Sequence, residues 1–269
     1  MFTVVLLAAV AVVLSVTLSL LGHWYWSKSY RVRGLKEAKR VLFVIAHPDD
    51  ECMFFGPSIQ GLVGQGCEVF VLCLSSGNYR SLGAQRKREL WNSCATLGVR
   101  RSWITLTEHS KLPDDPYLLW NRQILRDIIL RNIERLDIDT VISFDEWGVS
   151  GHRNHAAVYR ALQSLYTQGN FPVNTQVFTL ESVNLLRKYS SFLDVLPTRF
   201  ASTFSYVSTW PAVLKSQRAM NCHKSQMVWF RKLYIVFSRY MIMNSFKRIK
   251  MDQLFYHDPY KHGNHKKYL

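Results

Sequence analysis

The sequence predicts an α/β protein: a doubly wound, mainly parallel sheet with helices on both faces, preceded by one transmembrane helix. Three observations carry this. Short, continuous apolar runs alternate with stretches of helical spacing from residue 40 onward. Two of those runs end abruptly in clusters of acidic residues and histidine. From Phe2 to Leu21 there is no charged residue, and only Thr3, Ser15, Thr17 and Ser19 are polar.

The N-terminal run comes first. It meets the requirement of roughly 20 apolar residues to cross a bilayer. Trp24, Tyr25 and Trp26 follow where an aromatic belt would lie, and Lys28, Arg31, Arg33, Lys36, Lys39 and Arg40 come next, a flank expected on the cytosolic side. A cleaved signal peptide would carry a basic segment before an apolar stretch of about 7–15 residues and small residues after it. Here nothing basic precedes the run and bulky aromatics follow. The expectation is an anchor over residues 1–27, a basic juxtamembrane segment over 28–40, a luminal N-terminus and a cytosolic remainder.

Arg40 to Ala46 (RVLFVIA) is rich in β-branched residues and suits a strand buried on both faces, as does Val69 to Leu74. Pro57 to Gly64 between them fits a short helix. Arg86 to Leu97 has helical spacing and stops at Gly98. A strand at Trp103 to Leu106, a helix from about Tyr117 to Arg135 and a strand at Thr140 to Phe144 follow. His155 to Tyr166 reads as helix and Gln176 to Leu180 as strand. This alternation is Rossmann-like, and in such sheets chemistry gathers outside the carboxyl ends of the strands.

At 269 residues, 48% hydrophobic and 13% aromatic, the chain excludes wholesale disorder, collagen-like repeats and mini-protein scaffolds, and allows one large catalytic domain over 41–250 with a polar tail at 251–269. The net charge of +15 sits at the ends: +5 in residues 28–40, +11 in 195–269 and −1 between them. A generally basic, nucleic-acid-binding protein is therefore not expected. Cys52, Cys67, Cys73, Cys94 and Cys222 are odd in number and form no C-x-x-C pair, which suits a reducing compartment and speaks against a thiolate zinc site.

The first strand runs into Ala46-His47-Pro48-Asp49-Asp50-Glu51. An imidazole and adjacent carboxylates at the end of a buried strand are costly unless something positive sits there. His47 and Asp50 can aim at one point; alternatively, Asp49 or Asp50 caps a helix. The fourth strand ends in Phe144-Asp145-Glu146-Trp147-Gly148, followed by Gly151-His152-Arg153-Asn154-His155. Both motifs reach the same sheet edge, so His47, Asp50 and one of the later histidines could supply the three protein ligands of a catalytic zinc and leave a position for water, with iron or cobalt as alternatives.

The A-H-P-D-D-E element, the G-x-x-R-x-x-E-L segment (Gly83, Arg86, Glu89, Leu90), the G-H-x-x-H element and the late H-x-S-Q (His223, Ser225, Gln226) occur in the order found in the zinc-dependent LmbE-like de-N-acetylases, which residues 40–230 resemble. The anchor and the G-V-S-G-H-x-N-H wording most resemble the branch acting on N-acetylglucosaminyl-phosphatidylinositol in glycosylphosphatidylinositol anchor assembly. The resemblance implies that His47, Asp50 and His155 hold the metal, most simply Zn2+, and that Asp49 is the general base. It further implies a protonated His152 stabilising the oxyanion, a glycolipid substrate, and a cytosolic active site on the endoplasmic reticulum membrane. Arg86 would contact substrate or be a plain surface arginine. Asp145 would orient a histidine, and His223 would line the site or cap a helix. Bacterial relatives have an acid where this chain has Asn154 and a Tyr where it has Ser150, which puts family roles at those positions in doubt.

From Trp229 to Lys250 large apolar residues mix with six Lys or Arg. This reads as a basic, aromatic helix that either lies in an anionic leaflet or covers the core. His257, His262 and His265 read as a solvated tail. Two competing functions are deacetylation of a soluble amino-sugar conjugate, and a non-catalytic, membrane-tethered binding protein using the basic ends.

Overall fold

A computed structural model of the chain describes residues 2–28 and 38–249 apart from 116 and 203, with the side chains of 2–4, 6–8, 26, 28 and 150 left out. The tail expected at 251–269 and residues 29–37 of the basic segment lie outside the described residues.

The apolar runs form strands because each alternates its side chains between two layers. In β1 (Arg40–Ile45), Val41, Phe43 and Ile45 enter one layer while Leu42 and Val44 enter the other, all buried. The other strands are β2 (Glu68–Cys73), β3 (Ile104–Leu106), β4 (Thr140–Phe144), β5 (Gln176–Leu180), β6 (Phe204–Val207) and β7 (Met243–Arg248). Their spatial order is β3-β2-β1-β4-β5-β7-β6. The first five are parallel, while β7 runs antiparallel to both neighbours. The chain thus leaves β1 in one direction towards β2 and later in the other towards β4, so the crevice between β1 and β4 is the topological switch point.

The helices are α1 (Phe2–Lys28), α2 (Asp50–Phe54), α3 (Gly56–Gly64), α4 (Gly83–Leu97), α5 (Arg122–Arg135), α6 (Gly148–Gly151), α7 (Arg153–Thr167), α8 (Leu185–Lys188), α9 (Val195–Ala201), α10 (Trp210–Asn221) and α11 (Trp229–Phe237). Residues from α5 and α7 fill one layer. Residues from α2, α3, α4, α10 and α11 fill the other. α5 begins later than its apolar spacing predicts, because the Asn121 side chain accepts from Ile124 N at 3.1 Å and caps it.

The helix expected over Trp229–Lys250 is corrected. It stops at Phe237, turns through Arg239–Met241 and returns as β7. Arg239 enforces the turn. It is fully buried, with Nε 2.9 Å from Asp194 Oδ2 and Nη2 3.1 Å from both Thr198 Oγ1 and Ser245 Oγ, so the chain cannot pass straight through as a helix.

α1 is one 27-residue helix, packed against α9, the turn at Ser191–Asp194 and β6. Among the described residues, which leave out several α1 side chains, no helix is long and apolar enough to cross a membrane.

Gly61 marks the tightest helix-to-sheet approach, since a Cβ there would overlap the Tyr206 ring of β6. Gly61→Ala is expected to cost about 1–3 kcal/mol through overpacking, read as a lowered Tm. An unchanged Tm would contradict the packing.

Candidate active site

The loop after β1 is folded around its own carboxylates. Asp50 Oδ2 accepts from the backbone N of Ala46 (3.0 Å) and His47 (2.8 Å), which curls the chain so that His47 and Asp50 face the crevice together. Asp49 precedes α2 with φ 120°, a conformation side chains rarely adopt, and its carboxylate caps nothing. The helix-cap reading fails for Asp49. Its carboxylate instead meets Arg231 of α11 and lies 3.6 Å from Arg86 Nη2. Glu51 Oε2 accepts the Asp49 backbone N–H at 3.0 Å and so holds the unusual φ in place.

The second motif arrives from β4. The left-handed Gly148 (φ 55°) lets the chain turn tightly against α7, where any Cβ at that position would press on the His155 Cβ. Its carbonyl lies 3.0 Å from His155 Nδ1. A carbonyl only accepts, so Nδ1 carries a hydrogen and Nε2 is the nitrogen left to face Asp50. That Nε2 is buried and stands 3.2 Å from Asp50 Oδ1. An imidazole nitrogen and a carboxylate oxygen buried at this distance share a positive charge, a proton or a metal ion.

Three imidazoles surround the point. The His47 ring centroid lies 4.8 Å from that of His152 and 5.6 Å from that of His155, and the His152 and His155 rings stack at 4.5 Å. Nitrogens of all three come within 4.8 Å of one another. Two imidazoles and a carboxylate, with a third imidazole alongside, make a donor set that fits a divalent metal. The expected ligands His47, Asp50 and His155 are thus brought together, with His152 beside them.

Charge follows this geometry. Burial alone would push the Asp50 carboxyl up, but His155, His47 and the backbone donor outweigh it and hold it well below the usual carboxylate range. Burial opposes protonation of His47, yet its hydrogen bond to Asp114 and the charges of Asp50, Asp114 and Asp49 raise its pKa. His152 goes the other way. Burial, then the neighbouring His155 and His47, push its pKa down to about 3. Its ring therefore holds a second proton poorly in these surroundings.

The remaining expected residues divide. Arg86 is buried and braces the loop: Nη2 donates to the Pro48 carbonyl at 2.7 Å and Nη1 to that of Gly77 at 3.1 Å, so it is not a plain surface arginine. Asp145 orients no histidine. Its carboxylate accepts from the backbone N and hydroxyl of Ser182 (2.7 and 2.6 Å), tying the end of β4 to the chain after β5. His223 lies behind the loop, fully buried, with Nε2 2.6 Å from Glu51 Oε1, and so neither lines the site nor caps a helix. The late motif closes instead on α4, where Glu89 accepts from the backbone N and hydroxyl of Ser225. Asn154 places its amide Nδ2 3.0 Å from His47 Nε2, so the position that differs from bacterial relatives still touches a candidate ligand.

Glu51, Cys52 and His223 also lie within ligand distance of one another. Cys52 donates to the Asp49 carbonyl, and its pKa is pushed well up by burial and the Glu51 charge, so no thiolate is available there.

Two residues escaped sequence reasoning. Asp114, in the loop after β3, puts Oδ1 3.1 Å from His47 Nε2 and Oδ2 3.6 Å from Arg86 Nη1. Its only signal was an acidic pair after Pro113 downstream of another strand end at the same sheet edge. Arg231 reaches Asp49 from α11 and also contacts Met53 Sδ at 3.1 Å. In sequence it is one of several basic residues in an apolar stretch.

A histidine and carboxylate cluster at the switch point of a parallel sheet, with a further carboxylate held beside it, is a donor set suited to a metal-dependent hydrolase. Residues 42–166 match the family profile described as GlcNAc-PI de-N-acetylase. The N-acetylglucosaminyl-phosphatidylinositol de-N-acetylase of Bos taurus is 44% identical over 230 residues, covering 82% of this chain and 90% of that one. The probable enzyme of the same name from Dictyostelium discoideum is 36% identical, covering 79% and 94%. Among solved structures, the N,N'-diacetylchitobiose deacetylase from Pyrococcus horikoshii shares the fold with a TM-score of 0.60 at 19% identity, covering 80% of this chain and 85% of that one. The chain belongs to the GlcNAc-PI de-N-acetylase family.

The Glu51–His223 pair carries a prediction. Burial works against a protonated His223, but the Glu51 charge and hydrogen bond outweigh it and raise its pKa. The unfolded imidazole titrates at about 6.5, so this stabilisation is complete below that pH and is lost as pH rises through the higher folded value. His223→Gln is expected to remove this alkaline loss from a profile of Tm against pH. A variant profile that keeps the same alkaline slope would contradict the pairing.

Proposed function

We propose that this protein hydrolyses the N-acetyl group of N-acetylglucosaminyl-phosphatidylinositol, giving glucosaminyl-phosphatidylinositol and acetate, the deacetylation step of glycosylphosphatidylinositol anchor biosynthesis. The observation that carries this reading is a non-capping carboxylate, Asp49, held beside the His47–Asp50–His155 cluster of a chain belonging to this family.

His47, Asp50 and His155 hold the divalent ion in this reading, zinc by donor type. When bound, such an ion polarises the amide carbonyl and lowers the pKa of water. Asp49 accepts the proton of the attacking water as its oxygen bonds to the acetamide carbon. Arg86 and Arg231 fix that carboxylate from two sides. His152 enters neutral, and its buried Nδ1 has no partner among the described residues, so an N–H there is free to donate to the developing oxyanion. The C–N bond then breaks. Asp49, now protonated, supplies the proton with which the amine departs.

The location reading is a single-pass protein of the endoplasmic reticulum membrane with its catalytic domain facing the cytosol. The uncharged run at residues 2–21 and the basic flank after it support this. The membrane and the glycolipid are the partners proposed. A nucleic-acid partner is not proposed, since the positive charge lies outside the catalytic middle of the chain.

Asp49→Asn is expected to lower kcat for acetate release by about 10²–10⁴-fold while metal content stays unchanged. Full activity in that variant would contradict its role as base. Chelation should abolish acetate release from the wild type, and added divalent metal should restore it; persistence of turnover in the chelated protein would contradict the metal reading.

A further inference from the structure

α11 is amphipathic in the reverse sense for a helix on a soluble surface. Trp229, Phe230, Leu233, Val236 and Phe237 recur at helical spacing along one face, and all are 49–74% exposed. The opposite face is fastened inward. Arg231 pairs with Asp49, the Tyr234 hydroxyl donates to the Met53 carbonyl at 2.8 Å, and Gln217 of α10 donates to the Ile235 carbonyl at 3.1 Å. With three bonds on its inner face, the helix cannot roll its apolar stripe into the core. Two further large apolar side chains stand exposed, Leu186 of α8 at 82% and Phe200 of α9 at 85%. Tyr189, directly after α8, brings its ring within 6.4 Å of that of Tyr234 of α11. α9 in turn packs against α1, the helix that holds the uncharged run, and His23 of α1 stacks near Trp210 of α10 at 4.6 Å.

We propose that this outward face, centred on the α11 stripe, docks on the interfacial region of an anionic phospholipid bilayer and so presents the Asp49 side of the active site to lipid headgroups. The proposal rests on the glycolipid-deacetylase reading and adds the surface by which the substrate is reached. Three observations select a bilayer as the occupant. Tryptophan and phenylalanine lead the stripe, the residue types that settle at the boundary of headgroups and acyl chains. Lys215, Arg218, Lys224 and Lys232 are exposed on and around α10 and α11, within the C-terminal portion that carries +11, complementary to an anionic leaflet. The face is also continuous with the elements against which α1 packs, so a chain held in the membrane by α1 brings this face to the same surface. Arg231 couples the two sides of the helix: the segment whose outer face would enter the lipid is the segment whose inner face grips the proposed base.

The test uses the full-length protein carrying Trp229→Ser, Phe230→Ser and Leu233→Ser together. It is compared with wild type on N-acetylglucosaminyl-phosphatidylinositol in phosphatidylcholine and phosphatidylserine vesicles, and on the deacylated, water-soluble headgroup. An environment-sensitive fluorophore at Val236→Cys, in otherwise wild-type protein, reports docking independently of activity and of the N-terminal anchor. The expected result is a loss of about ten-fold or more in kcat/KM on vesicles, with the soluble headgroup turned over within about two-fold of wild type. The fluorophore should shift to the blue only when vesicles are added. Equal loss on both substrates, or no loss on either, would overturn the proposal. So would a fall in Tm or a change of oligomeric state in the triple variant, because the stripe would then be covered by another part of the chain or by a second copy. Failure of the deacetylase reading looks different: the wild type would release acetate from neither substrate while the vesicle-dependent shift persisted.

Discussion

His155 Nε2 and Asp50 Oδ1 face each other at 3.2 Å, while the Gly148 carbonyl engages the other ring nitrogen. A buried imidazole and carboxylate at that separation are tolerable only with a positive charge between them, a proton or a metal ion, and the surroundings are organised to keep them there. Asp50 cannot retreat because its other oxygen ties down the amides of Ala46 and His47. His155 cannot turn away because its Nδ1 is engaged and its ring stacks on Phe144 at 3.9 Å. The site is thus preorganised by backbone at the ends of β1 and β4, where the sheet topology opens a crevice whatever the side chains are.

Around this pair, each residue's role follows from what it touches. Arg86 ties α4 to the β1 loop through the Pro48 carbonyl. Glu51, fixed by His223 and by Ser93 at 2.5 Å, keeps the Asp49 backbone in its strained conformation. Asp49 is therefore positioned from behind by a buried polar network and from in front by two arginines. The cost of burying so many polar groups is offset by mutual pairing, which also fixes one geometry. Neutral His152 is consistent with the same electrostatics, since a cluster built to attract one cation disfavours a second positive charge beside it.

Much of the fold was legible in the sequence, and the reasons are physical. The parallel strands from β1 to β5 are buried on both faces and so read as continuous apolar runs, which are hard to mistake once helices separate them. β7 was misread because periodicity alone does not separate a short buried strand from a helix of the same apolar density; the buried Arg239 pairing with Asp194 breaks the segment, and a contact so distant in sequence leaves no local trace. At the site, the motifs holding His47, Asp50, His152 and His155 were legible because strand ends are fixed by topology, whereas the choice of His155 over His152 and the role of Asp49 came from the family resemblance. Asp145 and His223 were placed near the right loops but assigned the wrong partners, since a sequence gives position more readily than direction. Asp114 and Arg231 were missed because a loop and a surface helix bring them in from outside the motifs.

The central claim is that this cluster is a cation site serving amide hydrolysis. It is tested most directly by metal analysis of purified wild-type and Asp50→Asn proteins, with acetate release measured on the same samples. The account predicts about one divalent ion per wild-type chain, and loss of both the ion and acetate release in the variant. An Asp50→Asn protein that keeps its metal and its turnover would contradict it.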